Sequence, residues 1–208
     1  MTPQKDKAFA FKALHDRPGM FVLPNPWDVG SARILAGLGF QALSTSAGFA
    51  ASTGVADYHI TRDLKLAHVR ALASATPLPL TADLENGFGH SPDTCAETIR
   101  LGAEAGLVGG SIEDFTGDAD NPQYEIAAAV RAAVEAANAL PFPFLVTARA
   151  ENFFTGVPDL SDVIARLQAY QEAGAHVLYA PGLKTLDDIG TVLASVDRPV
   201  NVLMGPRS

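Results

Sequence analysis

The sequence predicts a (β/α)8 barrel, an α/β fold in which eight parallel strands alternate with helices. Three observations carry this prediction. Short apolar runs alternate with longer Ala- and Leu-rich segments, the runs are apolar on both faces as in buried parallel strands, and polar or acidic residues follow run after run. An open doubly wound sheet is the alternative. It is disfavoured because no G-x-G-x-x-G turn follows the first run, and because only a barrel brings every strand end to one face.

Seven of the eight strands are expected within the 208 residues. They cover Met20–Pro24, Ala42–Ser46, Leu78–Asp83, Leu107–Glu113, Phe144–Arg149, His176–Ala180 and Pro199–Met204. Parallel strands joined by crossover helices are the expected arrangement. Because seven strands alone would leave two unpaired edges, the sequence is interpreted as one barrel domain over residues 1–208 whose last βα unit is missing.

Helical patterns fill the intervals between the runs. A short amphipathic helix over Lys5–His15 is expected to plug the bottom of the barrel. Six further helices are predicted over Val29–Leu38, Arg62–Ser74, Pro92–Ala105, Pro122–Ala139, Leu160–Ala173 and Thr185–Ser195. Residues that cap helix N-termini precede four of them, namely Asp28, Thr61, Ser91 and Asn121, and glycines follow several of them.

Composition excludes several classes of protein. With 48% hydrophobic residues, 18% charged residues and a single cysteine, the chain is neither a disordered polymer nor a disulfide scaffold. A net charge of −8 argues against a nucleic-acid partner, and no apolar run is long enough to cross a membrane. The first residues lack the apolar core of a signal peptide, so a cytoplasmic protein is expected. Histidines at zinc spacing and a G-x-S-x-G motif are absent from the sequence, which leaves nucleophilic hydrolase chemistry unsupported.

Acidic residues follow two neighbouring strands. Asp83 and Glu85, two apart in an extended segment, should point to the same side at the top of the barrel. Glu113 ends the next strand, Asp114 is expected to face a neighbouring element, and Asp57 lies in the loop after the second strand. Converging carboxylates repel one another without a cation, and hard oxygen ligands suit Mg²⁺, with Mn²⁺ as an alternative. The candidate metal ligands are therefore Asp57, Asp83, Glu85 and Glu113.

An arginine and a hydroxyl-rich segment end two other strands. Arg149 needs an acidic partner such as Glu113 or Glu151, an anionic ligand, or both, because its charge follows an apolar strand. Thr45, Ser46 and Ala47 offer hydroxyl and backbone N–H groups that could bind a carboxylate or an enolate oxygen, although the segment is also an ordinary turn.

Three further residues at strand ends are weaker candidates. Trp27 either forms a wall of the pocket or simply packs against the core. Tyr179 and Asn201 belong to later strands and could face the barrel lumen, Tyr179 as a catalytic residue and Asn201 as a substrate-binding one.

The segment Asp83-Leu-Glu85-Asn-Gly87-Phe-Gly89 is similar to the D-x-D-x-G-Y-G metal motif of the isocitrate lyase / phosphoenolpyruvate mutase superfamily. Glu113-Asp114 resembles the acid pair after the next strand, and the arginine of Thr-Ala-Arg149 resembles the family's arginine on the catalytic face. The resemblance covers nearly the whole chain. It implies a (β/α)8 barrel, Mg²⁺, a 2-oxo acid or its enolate, and a homo-oligomer, either a tetramer or a dimer.

The same resemblance assigns roles position by position. Asp83 resembles the direct metal ligand, whereas Asp57, Glu85 and Glu113 resemble acids that hold metal-bound waters. The segment 45–47 resembles the one that binds the carboxylate and keto oxygens of the substrate, and Arg149 resembles the arginine that contacts the same oxygens. Trp27 resembles an aromatic wall of the pocket.

The loop after the fourth strand departs from the family. Isocitrate and methylisocitrate lyases carry a K-[KR]-C-G-H loop whose cysteine supplies a proton, whereas Phe115–Pro122 contains no cysteine, lysine or histidine. The mutase and phosphonopyruvate hydrolase pattern has a lysine and an asparagine here. Asn121 is near the latter, but Ala119 or a neighbour stands in place of the lysine. Glu85 also replaces the second aspartate of the motif.

These residues together predict a Mg²⁺-dependent carbon–carbon lyase or decarboxylase that acts on a small 2-oxo mono- or dicarboxylic acid through a stabilised enolate. Arg149, Glu113 and Tyr179 are the candidate catalytic residues. The substrate-binding candidates are Trp27, Thr45, Ser46, Ala47, Arg149 and Asn201. Two alternatives stay open, a phosphonopyruvate-type mutase or hydrolase that acts on a P–C bond and a non-catalytic 2-oxo acid binding protein.

Overall fold

A computed structural model describes residues 2–46, 48–56, 58–118 and 125–204. Its centre is one sheet of six parallel strands in sequential order, β1 to β6, which form a half-barrel. The strands are β1 (Leu43–Ser44), β2 (Leu80–Asp83), β3 (Gly109–Glu113), β4 (Leu145–Arg149), β5 (Val177–Tyr179) and β6 (Val200–Asn201).

Eight helices are present in the described residues. They are α1 (Gln4–Asp16), α2 (Val29–Gly37), α3 (Gly48–Thr53), α4 (Arg62–Ala75), α5 (Pro92–Glu104), α6 (Ala127–Asn138), α7 (Leu160–Glu172) and α8 (Leu186–Ser195). The predicted helices match seven of these to within a few residues, apart from the start of α6, where part of the predicted range lies outside the described residues. The six-residue α3 was not predicted. None of the described helices combines the length and apolarity needed to cross a membrane.

The prediction of seven strands is met only in part. Six of the predicted runs contain strands, but Met20–Pro24 is not a strand in the structure, although the Ser44 N–H donates to the Pro24 carbonyl at 3.1 Å. Met20 and Val22 are 92% and 64% exposed, whereas Phe21 and Leu23 pack against the buried cluster around α1, so only one side of this segment is covered. Among the described residues, β1 and β6 are therefore the two edges of the sheet, and the barrel is not closed.

Helix α1 lies beneath the amino-terminal ends of the strands, as predicted. Its Ala8, Phe11 and Leu14 form a buried cluster with residues that precede or begin the strands, Ala42, Val108 and Leu145. Gln4 donates to the Ala103 and Leu107 carbonyls at 2.7 and 2.8 Å. The helix therefore closes the bottom of the half-barrel and leaves the opposite end, where the strands finish, for the polar residues.

Side-chain caps fix where most of the helices begin. Asp28, Thr61, Ser91, Asp159 and Thr185 each accept a hydrogen bond from a backbone N–H in the first turn of the helix that follows. The caps of α5, α7 and α8 lie in the loops that follow β2, β4 and β5.

His68 in α4 gives a prediction for the pH dependence of stability. Its ring stacks on Phe49 at 3.6 Å between centroids, its Nε2 is buried with no hydrogen-bond partner among the described residues, and burial lowers its pKa to about 4. The unfolded chain binds a proton near pH 6.5, so stability should fall as the pH drops from 6.5 towards 4. Because the side chain is only half-buried and water screens part of the effect, the loss should stay below about 1 kcal/mol per pH unit. Urea unfolding at pH 7 and pH 5 measures this loss.

The matched variant for that measurement is His68→Phe. It keeps a ring against Phe49 but cannot titrate, so it should lose less stability between pH 7 and pH 5 than the wild-type chain. Equal losses in the two proteins would show that His68 does not contribute to the acid sensitivity.

Candidate functional site

Arg149 lies at the centre of a buried ion-pair cluster at the carboxyl ends of β2, β3 and β4. Its Nη1 contacts Asp83 Oδ1 at 3.1 Å and Glu113 Oε2 at 3.0 Å, and its Nε donates to Glu151 Oε1 at 2.8 Å. The sequence suggested Glu113 or Glu151 as its partner, and the structure brings both to it, together with Asp83. We call these four residues the Arg149 cluster.

The register of the sheet explains why the cluster forms. Glu113 is the register partner of Arg149 on β3, and Tyr179 is its register partner on β5. The Tyr179 ring lies 5.1 Å from the Arg149 guanidinium carbon, within the range of a cation–π contact. Last residues of adjacent parallel strands meet at one edge, so the predicted convergence of Asp83, Glu113 and Arg149 is confirmed as geometry.

The four charges of the cluster shift one another's pKa values. Burial favours the neutral form of Asp83, but the Arg149 guanidinium outweighs it and holds the pKa of that carboxyl below its usual range. Burial, together with the nearby Asp83 and Glu151 charges, raises the pKa of Glu113 to about 8 against the opposing effect of Arg149. Burial also raises the pKa of Glu151. The three carboxyl groups of the cluster therefore outnumber its one guanidinium. Burial favours the protonated form of Glu113 and Glu151.

The Nη2 nitrogen of Arg149 is the candidate donor to a ligand. Arg149 Nε donates to Glu151, Nη1 is paired with Asp83 and Glu113, and Nη2 makes no hydrogen bond with a described residue. Guanidinium groups bind carboxylate and enolate oxygens well because their donors are fixed in one plane. Nη2 is thus the group in the cluster best suited to hold an anionic oxygen.

The hydroxyl segment after β1 joins the same edge. Thr45 is buried, and its Oγ1 accepts a hydrogen bond from the Asp83 N–H at 3.2 Å. Ser46 Oγ accepts from the Gly48 N–H at 3.2 Å, so it stabilises the turn into α3. Ala47 and Asp57, predicted as a substrate-binding residue and a metal ligand, lie outside the described residues.

The weaker candidates take different positions. Trp27 is 62% exposed and lies against the turn at Gly48, where an added Cβ would be 2.9 Å from the indole Nε1. Asn201 ends β6 as the register partner of Tyr179 and is half-buried. Both residues lie on the carboxyl side of the sheet or next to the segment that follows β1, but neither contacts the Arg149 cluster directly in the described residues.

The position of Glu85 contradicts the prediction that Asp83 and Glu85 point to the same side. The rule that residues two apart share a side requires extended backbone, but Glu85 has a φ of 51° in a turn after β2. Its N–H donates to Asp83 Oδ1 at 3.1 Å, and its side chain lines a separate cleft. The turn therefore divides the two carboxylates between the Arg149 cluster and the cleft.

Gly87 in this turn can be tested by substitution. It has a φ of 80°, and a Cβ added there would lie 2.5 Å from Cys95 Sγ. Gly87→Ala should lower the free energy of unfolding by about 2–4 kcal/mol, because both the left-handed backbone and the overlap with Cys95 oppose the methyl group. Urea unfolding measures this loss.

Gly156 is the matched control for Gly87. It has the same φ of 80°, but no atom of the described residues lies within 4 Å of an added Cβ. Gly156→Ala should therefore incur only the backbone cost of about 1–2 kcal/mol. A Gly87→Ala variant no less stable than Gly156→Ala would contradict the tight approach of Cys95.

Asp114 faces away from the cluster, as predicted, and organises a second network. It is fully buried, and its Oδ2 contacts Arg166 Nη1 at 3.0 Å and accepts from the Tyr170 hydroxyl at 2.8 Å. Its Oδ1 accepts from the Glu151 N–H at 2.8 Å. Asp114 therefore anchors α7 to the loop that carries Glu151 and positions Glu151 beside Arg149.

The carboxylates of the described residues determine how a Mg²⁺ ion could be held. No group of three or more His, Cys, Asp and Glu side chains in the described ranges is arranged to hold a metal ion, and Asp57, the fourth predicted acid, lies outside those ranges. Mg²⁺ nevertheless needs only one or two protein carboxylates, since water and substrate oxygens fill its other positions. Asp83 Oδ1 accepts from the Glu85 N–H and pairs with Arg149. Asp83, with excess acid around it, fits a Mg²⁺ ion held by one direct ligand.

Tyr58 is a site residue that sequence reasoning missed. Its hydroxyl donates to Glu113 Oε1 at 2.5 Å, and its ring packs edge-on against Phe115 at 4.5 Å between centroids. Burial and the Glu113 charge raise the pKa of this hydroxyl, so it stays protonated as a donor. The sequence signal is weak, since a tyrosine next to Asp57 in a loop has no distinguishing pattern.

A cleft of about 730 Å³ opens beside the Arg149 cluster. It lies between the loop before α4 and the turn after β2, and its lining includes Tyr58, Ile60, Glu85 and Phe88. Its size is in the range of pockets that bind small molecules.

Known proteins share this fold and much of the sequence. The family model described as phosphoenolpyruvate phosphomutase matches residues 11–208. The 2-methylisocitrate lyase of Escherichia coli is 31% identical over 189 residues, which are 85% of this chain and 62% of the lyase. A crystal structure of a candidate lyase or mutase from Burkholderia cenocepacia is 57% identical with a TM-score of 0.96, covering 99% of this chain and 76% of that one. A phosphonopyruvate hydrolase, solved as a complex with oxalate and Mg²⁺, is 27% identical with a TM-score of 0.85, covering 98% and 72% of the two chains.

Proposed function

Because the chain belongs to the phosphoenolpyruvate phosphomutase family of the isocitrate lyase superfamily, we propose that it is a Mg²⁺-dependent carbon–carbon lyase or decarboxylase that acts on a small 2-oxo mono- or dicarboxylic acid. The observation that carries the proposal is the Arg149 cluster, in which a buried arginine is held by three acids while its Nη2 makes no hydrogen bond with a described residue. Such a donor suits an oxygen on which negative charge develops.

The residues of the cluster have distinct tasks in this proposal. Asp83 would hold the metal directly and Glu113 would hold one of its waters, whereas Glu85, which lines the cleft, is not part of this set. When bound, Mg²⁺ supplies Lewis-acid polarisation of the substrate's oxo group. Arg149 Nη2 donates to the carboxylate or the developing enolate oxygen, and the Thr45 hydroxyl, which already accepts from the Asp83 N–H, can donate its proton towards the same edge.

Oxaloacetate is the simplest substrate for this arrangement. The bond between C3 and the distal carboxylate breaks, CO₂ leaves, and the bonding electrons form the enolate of pyruvate. Loss of CO₂ needs no general base, which agrees with the loop over 115–122 that contains no lysine, histidine or cysteine. The enolate then takes a proton at C3 from water or from the Tyr179 hydroxyl, which solvent reprotonates, so that one proton is taken up for each pyruvate and CO₂ formed.

A substrate screen with and without the metal tests the proposal. Pyruvate release from oxaloacetate and from longer 2-oxo acids is followed in Mg²⁺, in EDTA, and after Mg²⁺ is restored. We expect turnover that EDTA abolishes, that Mg²⁺ restores and that Asp83→Ala lacks. Turnover that is indifferent both to EDTA and to Asp83→Ala would remove the hypothesis.

The second candidate is cleavage of a P–C bond in phosphonopyruvate. It is favoured by the similarity to a phosphonopyruvate hydrolase across 98% of this chain. Phosphate release from phosphonopyruvate, measured beside pyruvate release from oxaloacetate, separates the two activities. Saturable oxalate binding by calorimetry with no turnover of either compound would indicate a non-catalytic binding protein.

A further inference from the structure

The cleft and the Arg149 cluster are separate but adjacent, and Tyr58 contacts both. Its side chain lines the cleft, and its hydroxyl bonds Glu113, which in turn contacts Arg149. Arg149 and Glu113 do not belong to the described lining of the cleft. The Tyr58 ring therefore stands between the place where a 2-oxo group would bind and about 730 Å³ of open space.

Backbone strain is concentrated around this cleft. Within the described ranges, three residues other than glycine have positive φ angles, namely Tyr58 at 59°, Glu85 at 51° and Phe88 at 61°. All three line the cleft. Residues held in this costly conformation cluster at ligand sites, because the surrounding structure must be built to hold them.

The cleft is much larger than a three- or four-carbon acid requires, and its lining favours an uncharged group. Ile60 and Phe88 contribute apolar surface. Asp63, Glu85 and Glu97 contribute carboxylates, whereas Arg62 is the basic residue in the lining and is already paired with Glu97 at 2.8 Å. A second carboxylate on a ligand would meet net negative charge here.

We propose that Tyr58 is a specificity-determining residue, whose ring limits the substituent that a 2-oxo acid bound at the Arg149 cluster can extend into the cleft, and that the preferred substituent is uncharged. This inference rests on the proposed function, since it requires a 2-oxo acid at Arg149. The hydroxyl and the ring have separate tasks: the hydroxyl positions Glu113, and the ring sets the size of the substituent.

Unreactive probes separate these tasks. Calorimetry in Mg²⁺ compares oxamate, which mimics a small 2-oxo acid, with N-propyloxamate, whose extension is uncharged, and N-oxalylglycine, whose extension ends in a carboxylate. Each is titrated into the wild-type chain, Tyr58→Phe and Tyr58→Ala, and circular dichroism establishes that each variant is folded. The readout is the affinity of each extended probe relative to oxamate in the same protein.

Tyr58→Ala should raise the relative affinity for N-propyloxamate by about tenfold and leave that for N-oxalylglycine nearly unchanged. Tyr58→Phe keeps the ring and should keep the wild-type ratios. Unchanged ratios in a folded Tyr58→Ala variant, or an equal gain for the charged probe, would overturn the inference alone. Failure of the wild-type chain to bind oxamate with Mg²⁺ would instead remove the proposed function and this inference with it.

Discussion

Replacing Arg149 by lysine is expected to lower kcat for the proposed reaction by about two to three orders of magnitude. Lysine keeps the charge, but a single ammonium cannot contact Asp83, Glu113 and Glu151 in one plane and still present a further nitrogen to the substrate. Arg149→Met should in addition lower the free energy of unfolding by about 3–5 kcal/mol, because it leaves buried acids without their counterion. Turnover assays and urea unfolding measure the two effects separately.

Arg166 provides the control for this experiment. It also pairs two carboxylates, those of Asp114 and Asp162, but it lies outside the Arg149 cluster. Arg166→Lys should therefore affect stability while leaving kcat nearly unchanged. Equal losses of kcat in the two lysine variants would contradict a direct role for Arg149 at the substrate.

Replacing Asp114 by alanine is expected to lower the free energy of unfolding by about 3–5 kcal/mol. The side chain is fully buried and receives hydrogen bonds from Arg166, Tyr170 and the Glu151 backbone, all of which would lose a partner. Because the Glu151 N–H is among them, kcat should fall as well. Chemical unfolding monitored by circular dichroism gives the stability change.

Asp162 is a matched control because it pairs the same arginine at 2.7 Å from a side chain that is 42% exposed. Water screens that pair, but Asp162 Oδ2 also accepts from the buried Asn152 amide at 2.7 Å, so Asp162→Ala should cost about 1–2 kcal/mol, less than Asp114→Ala. If the two alanine variants were equally stable, burial would not be what makes the Asp114 network important.

Much of the fold could be predicted because short stretches of sequence indicate where each strand and helix lies. Apolar runs of strand length, caps such as Asp28 and Ser91, and glycines after helices gave most elements to within a few residues. The run at Met20–Pro24 has the same composition as a strand, but its place in a sheet depends on partners far along the chain. In α4 the apolar Leu64 and Ala67 are exposed, whereas Lys65 and Leu66 are buried beside Val69 and Leu72.

The site residues at strand ends could be predicted from the sequence, whereas those in turns and loops could not. Asp83, Glu113 and Arg149 end neighbouring strands, so sheet register brings them together. Glu85 lies beyond the strand, where its positive φ cancels the alternation of side chains. Tyr58 reaches Glu113 from a loop 55 positions away in the sequence, and no periodic pattern encodes that contact.

The proposed metal site is tested most directly by calorimetric titration of Mg²⁺ in the presence of oxalate. The proteins compared are the wild-type chain, Asp83→Asn and a control, Asp93→Asn. The Asp93 carboxyl lies in the first turn of α5. We predict one Mg²⁺ per wild-type chain, unchanged binding by Asp93→Asn, and affinity at least about tenfold weaker in a folded Asp83→Asn variant. No Mg²⁺ binding by the wild-type chain, or equal binding by all three proteins, would contradict the claim that Asp83 and the Arg149 cluster hold a divalent cation together with an anionic ligand.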